Sequence, residues 1–187
     1  FVNNNNGNSH EQINAPLAIG DEIQTFQWSP VGTLISYVLE INGGDTQLRI
    51  YNAESTSNIE LGAAIVTPTN KNGYVWSDND EYLAISQSTR PAAGNNGEVF
   101  ILASDGSQVS TGTIDERQLA ELISFIPSTT TLLLLSDSNT LANDSTLYRF
   151  SSLGVQIDRD LLTGTSGTAE TPNNILYSPD ALNVALY

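Results

Sequence analysis

Four segments of this chain share one pattern: an aromatic residue, a polar turn that is Ser-Pro in its clearest copies, and an apolar run. They read F-Q-W-S-P-V-G-T-L-I-S-Y from Phe26, V-W-S-D-N-D-E-Y-L-A-I from Val75, S-F-I-P-S-T-T-T-L-L-L-L from Ser124 and L-Y-S-P-D-A-L-N-V-A-L-Y from Leu176. The aromatic positions Trp28, Trp76, Phe125 and Tyr177 are 48, 49 and 52 residues apart. A repeat of this length constrains the fold more than composition does, because each copy must be one supersecondary unit stacked on the next.

Each aromatic is followed by an apolar strand, a hairpin rich in Gly, Asn and Asp, and a second strand. The hairpins I-N-G-G-D-T, A-G-N-N-G-E and L-A-N-D-S-T carry the residues that tolerate left-handed backbone. The second strands end at Ala53, Ala103 and Ser151, which lie 25, 27 and 26 residues beyond their aromatics. The fourth copy reaches Tyr187 in mid-strand, and residues 1–15 resemble its missing remainder. Joining Tyr187 to Phe1 places Ala15 25 residues from Tyr177, within the same narrow range. Period-2 strands joined by tight turns make a meander, and about 50 residues per meander is the length of a propeller blade. The expected fold is therefore an all-β propeller of four blades, each with about four antiparallel strands, one blade being split between the termini. It forms a single domain over residues 1–187, with blades near 24–62, 73–112, 121–161, and 173–187 plus 1–20. The strands at 34–40, 82–86, 131–135 and 183–187 are expected inside their sheets, and Trp28, Trp76, Phe125 and Tyr177 are expected to pack between blades as structural anchors. The stretch D-E-R-Q-L-A-E-L from Asp115 to Leu122 has helical spacing and predicts a short helical turn between blades.

The string W-S-P-V-G-T-L-I-S-Y at Trp28 to Tyr37 resembles the W-S-P-D-G-x-x-I-A-Y repeat of WD40-like propellers. That group includes the Tol-system periplasmic propeller and the propeller domains of prolyl oligopeptidase-type and dipeptidyl-peptidase-type enzymes. Y-S-P-D-A-L-N-V-A-L at Tyr177 to Leu186 is similar. The other copies depart from it, with Asp78 in place of Pro and Ile126 in place of Ser. The resemblance spans essentially the whole chain and implies blade architecture, while such repeats serve many roles.

Candidate chemistry is sparse. The single histidine, His10, lies in an Asn-rich expected hairpin, and there is no cysteine, so a Ser-His-Asp or Cys-His set has little to draw on. No G-x-S-x-G is present; G-T-S-G-T from Gly164 has its second glycine misplaced. No phosphate-binding glycine loop or zinc-ligand spacing occurs, and no cofactor is expected. Asp78-Asn79-Asp80-Glu81 is rich in oxygen but lacks the glycine-centred loop of a calcium hand, as do Asp180 and Asp105-Gly106; a solvated turn is the favoured reading and calcium the alternative. Asn143-Asp144-Ser145 is a glycosylation sequon in an expected hairpin.

Net charge is −15, from 21 acidic and 6 basic side chains, which argues against nucleic acid as a partner. No apolar run is long enough to span a bilayer. The absence of both Cys and Met suits an extracellular or cell-surface protein, with the periplasm as alternative. Phe1 stands where Met is usual, which is expected of a processed chain or of an excerpt of a longer one. The mid-strand cut raises two options: one period of a longer tandem array, or a subunit whose terminal strands pair within or between molecules. The expected function is a non-catalytic extracellular structural or interaction propeller, self-assembling as a fibre or surface subunit through strand completion or tandem repetition. The expected partners are further copies of itself or other proteins, and glycans. The alternative is a ligand-binding or scaffold propeller module of a larger secreted or periplasmic protein.

Overall fold

The computed structural model describes residues 2–3, 10–14, 16–42, 44–61, 73–86, 94–116, 120–136, 144–163 and 175–186. These residues form strands and turns, with no helix among them. The first full sheet contains β3 (Glu22–Trp28), β4 (Leu34–Ile41), β5 (Asp45–Asn52) and β6 (Ser57–Glu60) in that order. The second contains β7 (Tyr74–Trp76), β8 (Tyr82–Ser86), β9 (Asn96–Ala103) and β10 (Gln108–Glu116). The third contains β11 (Ala120–Phe125), β12 (Leu132–Ser136), β13 (Asp144–Phe150) and β14 (Gln156–Thr163). All three are antiparallel meanders. The fourth unit is divided: β15 (Ile175–Tyr177) pairs with β16 (Val184–Leu186) near the C-terminus, and β1 (Val2–Asn3) pairs with β2 (His10–Glu11) near the N-terminus. Among the described residues these two pairs are separate sheets. The architecture is an all-β propeller whose blades follow one another without closing.

The inner strands are mostly apolar because both of their faces are covered, and their buried serines, Ser36, Ser86 and Ser136, are hydrogen-bonded. β4, β8 and β12 are buried along nearly their whole length, and Leu132 to Leu135 is an unbroken leucine run. A strand between two packed sheets has no solvent face, so alternation disappears. β3 alternates between more and less exposed residues, with a register shift between Ile23 and Thr25 that puts Ile23, Phe26 and Trp28 on one face. Three clusters join the blades in series. Ile13 packs on Ile35, Tyr37, Leu39 and Tyr51 of the first sheet. The opposite side of that sheet presents Leu34, Val38, Leu48 and Ile50 to Tyr74, Trp76, Leu83 and Ile85 of the second. The reverse of the second sheet presents Ala84, Val99, Ile101 and Ile114 to Ile123, Phe125, Leu132 and Tyr148 of the third.

One local expectation is corrected. Asp115 to Leu122 does not form a helical turn where it is described: Asp115 and Glu116 end β10, and Ala120 to Leu122 open β11. Glu116 is paired with Asn96, and Leu122 with Leu135, while Ile114 and Ile123 enter the same inter-sheet cluster. Ladder pairing at these described ends and the burial of Ile114 and Ile123 hold them in strands; residues 117–119 lie outside the described residues. The split blade shows β15, β16, β1 and β2 among the described residues. Residues 16–21 run into β3 through a turn, with the Asp21 N–H on the Ala18 carbonyl at 3.1 Å.

Candidate functional site

The turns after the four aromatics determine how neighbouring blades meet. In three of them a serine closes the turn from both sides. The Ser29 N–H donates to the Leu34 carbonyl at 2.9 Å and the Ser29 hydroxyl accepts from the Leu34 N–H at 3.1 Å. Ser77 does the same with Tyr82, and Ser178 with Asn183. The left-handed residue comes three positions after each serine, at Gly32, Asp80 and Ala181. The third turn has Ile126 in the serine's place and so lacks the hydroxyl. There the Thr129 hydroxyl accepts from the Thr131 N–H at 3.1 Å, and the positive φ moves to Ser128, immediately after Pro127. Proline followed by a left-handed residue is the type II solution to the same reversal.

The carboxylates of the second turn reach both ways. Asp80 is 8 % exposed and accepts the Ser29 hydroxyl, the Val31 N–H at 3.0 Å and the Thr33 hydroxyl at 3.3 Å, all from the preceding turn. Asp78 accepts the Ser128 N–H at 2.8 Å from the following turn. The expectation of a solvated turn is therefore wrong for Asp80. A buried carboxylate persists where donors from another blade satisfy it. Among the described residues no three carboxylates or imidazoles gather in a group able to hold a metal ion.

The aromatics differ by place in the series. Trp76 is 3 % exposed and its indole N–H donates to the Ser36 hydroxyl of the first sheet at 3.0 Å. Phe125 is 4 % exposed, within the cluster between the second and third sheets. Tyr177 is half-buried. Trp28 is 42 % exposed, and its neighbour on the same face, Phe26, is 67 % exposed. Burial pushes the Tyr74 phenol up from its ordinary 10.0, partly offset by the Thr25 and Ser36 hydroxyls. Burial likewise raises Tyr148 and Tyr177. Tyr148 joins the second and third sheets, its hydroxyl accepting the Asp115 N–H at 3.0 Å. One guanidinium nitrogen of Arg159 spans both Asp115 oxygens, at 2.8 and 2.9 Å. On the surface, Asp180 and Asp105 are held below the usual carboxylate range, first by the hydroxyls of Ser178 and Ser107.

The backbone of His10 lies in β2. Asn143 and the Gly164 string lie outside the described residues. The sequence reading missed Asp80, Ser36 and Asp115 as joints. Its one available signal was the serine after the aromatic, which marks a turn whose next residues face a neighbour.

No family model matches the sequence, and neither does any curated protein. Solved structures do. A TolB protein from Agrobacterium tumefaciens is similar over 86 % of this chain and 57 % of its own, at 18 % identity and a TM-score of 0.53. Prolyl oligopeptidase B from Galerina marginata is similar over 86 % of this chain and 25 % of its own, at 12 % identity and 0.54. A eukaryotic initiation factor is similar over 75 % of this chain and 32 % of its own, at 15 % identity and 0.51. The chain thus spans between a quarter and just over half of the length of these structures. With identities this low, what they have in common with the chain is the fold, a β-propeller.

Proposed function

We propose that the chain is a non-catalytic interaction propeller, a scaffold module of a larger protein that works outside the cytoplasm. The observation that carries this reading is the use of its polar side chains. Ser29, Ser36, Asp78, Asp80, Asp115 and Tyr148 are hydrogen-bonded across blade boundaries. Groups held this way fix the geometry of a platform. The partial coverage of much longer solved chains supports the module reading, and the lack of Cys and Met supports an oxidising setting at the cell surface or in the periplasm. The test is incubation of the purified chain with proline-containing peptides and simple esters. No turnover above buffer is expected, and hydrolysis abolished by a single Ser or Asp substitution would overturn the reading.

A second reading, a subunit that assembles into fibres or surface arrays by strand completion or tandem repetition, is favoured by one observation. The first and last blades both carry uncovered apolar side chains, Phe26 and Trp28 at one end and Leu176 at the other. Electron microscopy of concentrated protein checks it; compact particles alone, at every concentration, count against it.

A further inference from the structure

At each internal boundary the first strand of a blade is covered by the blade before it. β11 lies against β7 and β8, so Ile123 and Phe125 are buried beneath the innermost hairpin of the second sheet. Tyr74 and Trp76 on β7 are buried against the first sheet in the same way. β3 is the corresponding strand of the first sheet, and Phe26 and Trp28 occupy the places of Tyr74 and Trp76. They pair with Tyr37 and Ile35 on β4, on the sheet face where Ile13 packs. That face is therefore closed over β4 and β5, where Ile35, Tyr37, Leu39 and Tyr51 are buried, and over Ile23 at the start of β3, and it is open over the Phe26–Trp28 end of β3. The opening is the width of one strand and continues an interface already formed.

The other end of the series presents the matching half. In the second sheet Val75 pairs with Ala84, and this pair forms the surface that receives β11. Its counterpart is Leu176 paired with Ala185 in the β15–β16 hairpin. Both residues are exposed, Leu176 at 54 %. A receiving surface without a guest and a guest surface without a host sit at opposite ends of one molecule, where the sheets do not close into a ring. Two different, complementary patches make a heterologous contact, which links copies head to tail.

We infer that the open face of β3, centred on Phe26 and Trp28, docks under the β15–β16 hairpin of a second copy of this chain, with Leu176 and Ala185 as the receiving pair. The contact repeats the boundary between the second and third sheets across two molecules. It rests on the interaction reading above and names a partner for it, through face packing rather than edge pairing of strands. The chain has no cysteine, so introduced thiols are unambiguous. Chains carrying Phe26→Cys and chains carrying Leu176→Cys, both at exposed positions, are mixed and treated with a short bifunctional maleimide. A covalent dimer is expected at about ten-fold the yield given by Val31→Cys mixed with Leu176→Cys, because docking raises the local thiol concentration. Equal yields in the two mixtures would overturn the inference. So would a doubly substituted chain that cross-links only within itself, which would mean the hairpin closes on its own β3. Neither result touches the non-catalytic reading, which the hydrolysis assay decides separately.

Discussion

Asp80 is the residue whose replacement separates local turn geometry from blade joining. Its backbone is left-handed, which Asn tolerates and most residues resist, and its carboxylate serves three donors of the preceding turn. Asp80→Ala leaves the buried Ser29 hydroxyl and the Val31 N–H without that acceptor, so a loss of about 2–3 kcal/mol in unfolding free energy is expected by urea titration. Asp80→Asn keeps an acceptor and the backbone preference, and the expected loss is less than half as large. A similar loss for both would mean that charge, rather than bonding across the turns, holds the blades together. Trp76 and Phe125 were legible as anchors because an aromatic before a tight turn recurs at a fixed spacing. Their burial was not legible, since the same residue type at Trp28 is exposed. Burial depends on what stands in front of a residue, and a repeat pattern describes only the residue itself.

Among the elements, the turns vary most. Ser128 sits with φ 61 directly after Pro127, in a position that favours glycine. Ser128→Gly keeps the N–H that donates to Asp78 and relieves the left-handed strain, and a gain of about 0.5–1 kcal/mol is expected in thermal unfolding. Gly32→Ala makes the opposite change at φ 86, where no atom lies within 4 Å of the added Cβ. Its expected cost of about 1 kcal/mol is therefore purely conformational. The strands were read well from apolar runs, because an inner strand covered on both faces is mostly apolar. The segment from Asp115 to Leu122 was misread because its charges follow a helical spacing. The deciding residues were the flanking Ile114 and Ile123, whose destination in the core is a tertiary fact.

For the whole molecule, the buried phenols set a limit on the alkaline side. Tyr74, Tyr148 and Tyr177 all hold their protons above the ordinary 10.0 when folded. The unfolded chain loses those protons first, so the folded state binds more of them, and stability falls as pH rises past about 10. Melting temperatures measured between pH 8 and 11 are expected to be flat and then to drop. Tyr74→Phe should make the drop shallower while costing some stability at neutral pH through its bonds with Thr25 and Ser36. A drop unchanged in Tyr74→Phe would assign the alkaline limit to other groups. The propeller plan was legible because period, turn and strand all pointed to it. Failure to close was not, since a matched spacing across the termini says that the pieces correspond and says nothing of whether they meet.

The two carboxylates of the second turn also bear on how such a protein can change over generations. Asp80 looks back to Ser29 and Asp78 looks forward to Ser128, so this blade recognises its neighbours on both sides by different means. This blade, placed after the third, would set Asp80 against a turn with Ile126 where Ser29 stands, and so without that hydroxyl donor. Its position along the chain has become part of its identity.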